Sequence, residues 1–363
     1  MNKMKFKKPA YKPFVTRQLK KVRRVAKGKE EPTAAGALPH ITNETVAAHR
    51  EEVLASARKY IYPLQHSKRR VVQLSLSILI VAVFGFLIWC GLALYSFQST
   101  SAFTYDITKV IPFPIAKVGS DYIYYENYLF ELRHTMHYYE TQQQANFSTS
   151  NGKLQLNIYK KEALQDVINN TYVKQLAGQN HISVSNQDVD NEVALVRSEN
   201  RLGGSQQVFQ DVLNEFWGWS VSDFRRELKQ QLLAQKVVST LDTGTWQRAR
   251  QALWELDHGT SFATVAFQTS DDSSTRAQGG QYNGTITESD TDIAPQVTAE
   301  LFKLKPGQVS GIINTGYSLE IVQLTSQQGD SVKAAHIEFN FKDISTYIKP
   351  LEAKEPSHQY INI

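Results

Sequence analysis

Residues 71–97, VVQLSLSILIVAVFGFLIWCGLALYSF, hold 27 positions without one charged side chain, and this run constrains everything else about the chain. As a helix rising about 1.5 Å per residue it is roughly 40 Å long, against about 30 Å of bilayer hydrocarbon. It therefore spans with tilt, or with its ends in the interface where Trp89, Tyr95 and Phe97 are at home. A cleaved signal peptide has a shorter apolar core near the start and small residues at a cleavage site. Here 70 residues come first, so the run reads as a retained anchor.

Charge divides at this run. Residues 1–70 hold 18 Lys and Arg against 5 Asp and Glu, whereas the remainder holds 22 against 30. The pI near 9.0 averages two opposite halves. SKRR at 67–70 abuts the run, and positive residues stay on the cytoplasmic side, so residues from 98 onward are expected outside the membrane. The lone cysteine, Cys90, falls inside the run, which leaves the outer part without disulfides. The tail mixes Lys and Arg with Pro and Gly and reads as disordered. Its plain role is to set topology; contact with anionic lipid is the alternative. No nucleic-acid partner is expected, since no base-reading motif or aromatic interleaving accompanies the charges.

Beyond a Thr/Ser-rich spacer (98–108), alternation in IAKVGSDYIYY predicts a hairpin turning at Gly119-Ser120, then an aromatic-rich helix. Residues 141–160 are polar and contain the loop-like NFSTSNGK. In KEALQDVINNTYVKQLAGQNH, Leu164, Val167, Ile168, Tyr172 and Leu176 share a face. SNQD (185–188) and SVSD (220–223) are capping-box patterns opening two further helices. Trp217, Trp219 and Phe216 sit at a helix–loop junction and read first as core aromatics, second as peptide contacts. His134, His137, His181 and His258 lack metal-ligand spacing, so no metal is expected, and no cofactor motif is present.

Over 110–240 the order of IAKVGSDYI, ALQDVINNTYVKQLAGQNHISVSNQDVDNEV and GWSVSDFRRELKQQLL resembles the N-terminal helical domain of SurA/PrsA-type envelope foldases. Over 246–324, HGTSFATVA, SDDSSTRAQGG, AELFKLKPGQVSG and TGYSLEIVQL resemble a parvulin-type prolyl isomerase. The fold expected is a single-pass membrane protein with an α+β outer region. It divides into a basic tail (1–70), span (71–97), spacer (98–108), helical chaperone domain (109–242), small parvulin-like domain with an antiparallel sheet (243–345) and C-terminal tail (346–363).

The parvulin resemblance makes 269–285 an active-site loop, with Asp272 where parvulins carry Cys or Asp. It implies a pocket at Ile293 and Val297. Ser318 stands where the family usually carries a histidine, and the family's opening strand, with its own histidine, is missing before Trp246. A strand of that type occurs late, in VKAAHIEFNFKDI, where Ile337, Phe339 and Phe341 alternate with His336, Glu338 and Asn340. Either it completes the sheet in permuted order, making His336 a site residue, or it begins a second repeat. The resemblance implies a folding factor for unfolded exported polypeptides, either a weak prolyl isomerase or an inactive holdase; an envelope scaffold is a third reading.

Overall fold

The computed structural model describes residues 42–61, 64–199 and 205–363; most of the basic tail lies outside them. The chain forms two compact units, one ending at Val83 and the other spanning Phe84–Ile363. Helix α1 covers Asn43–Ile61. Helix α2 covers Leu64–Gly91 and continues as a π-helical turn over Leu92–Ser96. Among the described residues it is the one helix long and apolar enough to cross a membrane.

The apolar run is not exposed along its full length. Residues 71–89 stand open, whereas Cys90, Ala93 and Leu94 are buried in the second unit. The Tyr125 hydroxyl donates to the Leu94 carbonyl (2.7 Å) and Tyr95 donates to that of Pro114 (2.6 Å). The last two turns of the stretch 71–97 therefore pack into the folded domain. Nor is 98–108 a spacer. Helix α3 occupies Ala102–Val110, started by Ser101, whose hydroxyl accepts from the Thr104 N–H. Thr104 and Thr108 return their own hydroxyls to backbone carbonyls, at 2.8 and 2.7 Å, which satisfies them when buried.

Strands β1 (Pro114–Val118) and β2 (Asp121–Tyr124) form the expected hairpin, turning at Gly119 with φ +56°. Helix α4 covers Tyr125–Gln142 and α5 covers Ser150–Gln179. The latter starts eleven residues before KEALQ, inside the stretch read as loop. Thr149 caps it, and Gly152 is required because a Cβ there would lie 1.9 Å from the Asn146 carbonyl oxygen. Helices α6 (Asn186–Glu199), α7 (Gln206–Trp217) and α8 (Val221–Leu241) complete the bundle. Both capping boxes form: Ser185 with Asp188, and Ser220 with Asp223. Arg226 of α8 grips Glu126 of α4 with two bonds, 2.5 and 3.1 Å, and lies over the Phe130 ring.

Next comes the α/β part. Helices α9 (Thr243–Asp257) and α10 (Phe262–Thr269) pack on one face of a four-stranded antiparallel sheet, against Leu319, Ile321, Ala335, Ile337 and Phe339. Strand β3 is Ile286–Thr287, and β4 is Ile313–Asn314. Strand β5 (Ser318–Gln328) and β6 (Ser331–Asn340) form the central hairpin, giving the order β3-β6-β5-β4. Helix α11 (Pro295–Leu301) covers the other face, against Val322, Leu324, Val332 and Ala334.

Residues 346–363 are not a tail. Helix α12 (Ser345–Lys354) and strand β7 (His358–Gln359) return to the helical bundle, where Ile348 and Ile361 join the core of Tyr128, Leu132, Ile168 and Tyr172. Strand β7 pairs with β1 to make a three-stranded sheet in the order β2-β1-β7. The Tyr172 hydroxyl also donates to the Glu355 carbonyl at 2.7 Å. The α/β part is thus inserted between two portions of one helical domain.

One group in the bundle is costly. Glu131 of α4 is 8% exposed; burial, then the Glu227 and Asp166 carboxylates, push its carboxyl up to about 8, against the opposing pull of Arg226. An unfolded Glu ionises near about 4.3, so the raised folded value makes stability fall as pH climbs from there to about 8. Glu131→Gln is expected to gain about 1–3 kcal/mol above pH 8 and nothing below pH 4. Urea unfolding at the two extremes checks this; an equal effect at both rejects it.

Candidate functional site

The loop after α10 is sewn to β6 by its backbone. The Asp271 N–H donates to Glu338 O (2.7 Å), His336 N–H to Gly280 O (2.8 Å) and Tyr282 N–H to Ala334 O (3.0 Å). Asp271 also takes two bonds from Arg248 and one from the Asn340 N–H. Gly279 and Gly280 have φ of +71° and +80°. A Cβ on Gly280 would lie 2.2 Å from the His336 carbonyl oxygen. Gly280 lets loop and strand come this close, whereas Gly279 makes room for Ala263 of α10, which its Cβ would approach to 2.6 Å.

That closeness sets Asp272 beside His336. Its carboxylate accepts from the Ser274 N–H (2.9 Å), the Ser274 hydroxyl (2.7 Å) and the Thr275 hydroxyl (2.5 Å). His336 Nε2 stands 2.9 Å from Asp272 Oδ2 and 3.0 Å from Thr275 Oγ1, and its Nδ1 is 3.2 Å from Glu320 Oε2. The Tyr282 ring stacks on the imidazole, centroids 4.3 Å apart, with its hydroxyl 3.3 Å from Glu320. His336 is 7% exposed.

Two carboxylates on opposite ring nitrogens demand two N–H donors, which is the imidazolium form. Burial pulls the His336 pKa down, but Glu320, followed by Asp272, outweighs it and holds the net value above the ordinary one. Burial likewise works to raise Asp272, yet the donors on Thr275, Ser274 and His336 prevail and leave its carboxyl well below the usual carboxylate range. Burial, then Glu320, raises the Tyr282 phenol, so it stays a neutral donor. The neighbouring Glu338 is raised by burial and then by Glu320. The group is an ionised clamp that fixes a loop to a sheet and concentrates charge beneath one aromatic ring.

Of the residues singled out from sequence, Asp272 and His336 meet. Ser318 does not join them: its hydroxyl lies 2.9 Å from Thr315 Oγ1 in the turn before β5, and it pairs across the sheet with Asn340. Val297 is fully buried among Ile286, Leu301 and Val322, so its side chain cannot line an open pocket, and Ile293 packs half-buried on the same cluster. Glu320, Thr275 and Tyr282 escaped the sequence reading. Glu320 had a signal, two residues beyond Ser318 on the same strand face.

A second feature lies on the bundle. Phe130 and Trp219 stack at 5.9 Å, Trp217 stacks on Trp219, and His134 stands 4.8 Å from Trp219. With Tyr105 and Arg133 they line a cavity of 130 Å³.

Comparison with known proteins agrees with these two parts. Residues 64–238 match the SurA-like N-terminal domain, and residues 234–326 match the PPIC-type PPIase domain. No curated protein matches. Among solved structures, the chain is similar to the peptidylprolyl isomerase PrsA of Bacillus anthracis, at 21% identity over 53% of this chain and 88% of that one, with a TM-score of 0.18. It is also similar to the foldase protein PrsA of Streptococcus pneumoniae, at 15% identity over 66% and 84% of the two chains, with a TM-score of 0.20. The chain thus joins a stretch that matches the SurA-like N-terminal domain to one that matches the PPIC-type (parvulin) peptidyl-prolyl isomerase domain.

Proposed function

We propose that this protein is a membrane-anchored folding factor that binds unfolded exported polypeptides, with α2 as the span, residues 1–70 cytoplasmic and the folded domains outside. The succession of an exposed apolar helix, a SurA-like domain and a PPIC-type domain in one chain carries this reading. Basic residues 68–70, in α2 directly before its apolar part, support the orientation. The half-buried aromatic cavity at Trp217 and Trp219 suits a client's apolar side chains, as flat rings bind many shapes at low entropic cost.

Prolyl isomerisation makes and breaks no covalent bond. Unaided, it crosses a barrier of about 18–20 kcal/mol set by amide resonance. A site accelerates it by binding the twisted amide more tightly than the planar one. Asp272, Thr275, His336 and Glu320 gather an imidazolium, two carboxylates and a hydroxyl, a polar setting that would act on a rotating amide beside it. Tyr282 stands over them. Its cover favours a second reading, a holdase in which the clamp is structural and isomerase turnover is slight.

Exchange NMR on a short Xaa-Pro peptide, with detergent-solubilised full-length protein, separates the two. Slow wild-type exchange, acceleration by Tyr282→Ala and loss on adding Asp272→Ala or His336→Ala would establish the clamp as an active site beneath a cover. Acceleration in neither wild type nor Tyr282→Ala, with aggregation of an unfolded client still suppressed, leaves the holdase. Failure to suppress aggregation removes the folding-factor reading.

A further inference from the structure

Helix α3 turns its polarity inside out. Thr104 and Thr108 face the protein at 4% and 3% exposure, whereas Phe103 and Val110 point outward at 60% and 82%. Phe103, Ile107 and Val110 are spaced i, i+4, i+7 and so form one stripe, with Asp106 and Lys109 beside it bonded to each other at 3.0 Å. Phe97, in the turn just before, is 78% exposed. A soluble domain gains nothing from burying threonines while presenting Phe and Val to water.

The position of the stripe says what covers it. The open part of α2, residues 71–89, is 19 residues long. At about 1.5 Å per residue that is roughly 28 Å, close to the thickness of bilayer hydrocarbon. Trp89 then falls at the level of the membrane–water interface, where tryptophan is enriched. Phe103 stands against Trp89, ring centroids 5.9 Å apart. The chain has thus folded back, bringing the start of α3 to the same depth as the end of the span. The domain is tied to that depth by buried Cys90, Ala93 and Leu94 and by the bond from Arg133 to the Thr100 carbonyl (2.6 Å).

We infer that α3 is an interfacial helix, its Phe103–Ile107–Val110 face lying in the headgroup and upper acyl layer of the bilayer leaflet on the side of the folded domains. The occupant is phospholipid. Helix and span together hold the SurA-like domain against the membrane surface instead of leaving it on a free stalk. This rests on α2 being a membrane span.

The test uses the full chain in vesicles of phosphatidylethanolamine and phosphatidylglycerol. In a Cys90→Ala background, single cysteines at Phe103→Cys, Val110→Cys, Val81→Cys and Asp330→Cys carry an environment-sensitive fluorophore. Positions 103, 110 and 330 are exposed, so the changes leave the core intact, and an unaltered thermal transition verifies each. The expected result is several-fold stronger quenching at 103 and 110 than at 330 by lipid with a spin label near the headgroup, and quenching at 81 by a label deep in the chain. Quenching at 81 without quenching at 103 and 110 overturns the interfacial helix while leaving the span. A blue-shifted but unquenched label at 103 and 110 means a protein covers the stripe, which overturns it equally. No quenching at 81 means that the span reading itself fails.

Discussion

His336→Ala is expected to destabilise the α/β part by about 3–5 kcal/mol at pH 6, because it leaves two carboxylates without the cation between them. Asp272 and Glu320 lie 2.9 and 3.2 Å from the ring nitrogens, and all three side chains are largely buried. The penalty depends on pH with a definite sign. The folded pKa of His336 is raised, so its contribution is complete below the unfolded value near 6.5 and fades as pH rises through the folded value. The folded pKa of Asp272 is depressed, so its contribution is present above about 3.9 and fades as pH falls through the folded value. The clamp is therefore strongest in mildly acidic conditions. Denaturant unfolding of wild type and variant at pH 6 and pH 10 should show the gap narrowing at the higher pH. A gap of equal size at both would mean that His336 packs as a neutral ring.

Gly280→Ala is expected to strike the same site through the backbone. The added methyl would meet a carbonyl oxygen at 2.2 Å, and a backbone atom in mid-strand has nowhere to go. The residue would also be held at φ +80°, which L side chains resist. Together these cost about 1–3 kcal/mol or more, and the loop should lift from β6, parting Asp272 from His336. Gly307→Ala makes a useful companion, since Gly307 also has positive φ (+87°) but a Cβ there meets nothing within 4 Å. The difference between the two melting temperatures isolates the close approach. Equal losses would mean that backbone strain, not the approach of loop to strand, makes the glycine necessary.

Local grammar made much of this fold legible in the sequence. The hairpin at Gly119 and the boxes at Ser185 and Ser220 depend on residues within four positions of each other, and all three formed. Alternation in VKAAHIEFN likewise announced a strand. Its neighbour β3 could not be read, because that pairing joins segments tens of residues apart, as with Ile286 and Val332. Glu320 lies in the adjacent hairpin strand and escaped because only the register Val322↔His336 brings its face beside the imidazole. Val297 and Ser318 were taken from a family's pattern, and a pattern of residue types does not say whether a side chain faces a core, a turn or a slot. The stretch at 98–108 looked like a spacer because its inward residues are threonines, which carry no apolar signal.

The return of β7 to β1 has a consequence for biogenesis. Synthesis runs from the N-terminus, so the SurA-like domain emerges first, with β1 and β2 ready and the third strand still unmade. The entire inserted α/β part must be made before residues 358–359 can dock. Until then the β1 edge is open, and the core lacks Ile348 and Ile361. The nascent chain is thus, for a time, an unfinished polypeptide of the sort the mature protein is proposed to shelter.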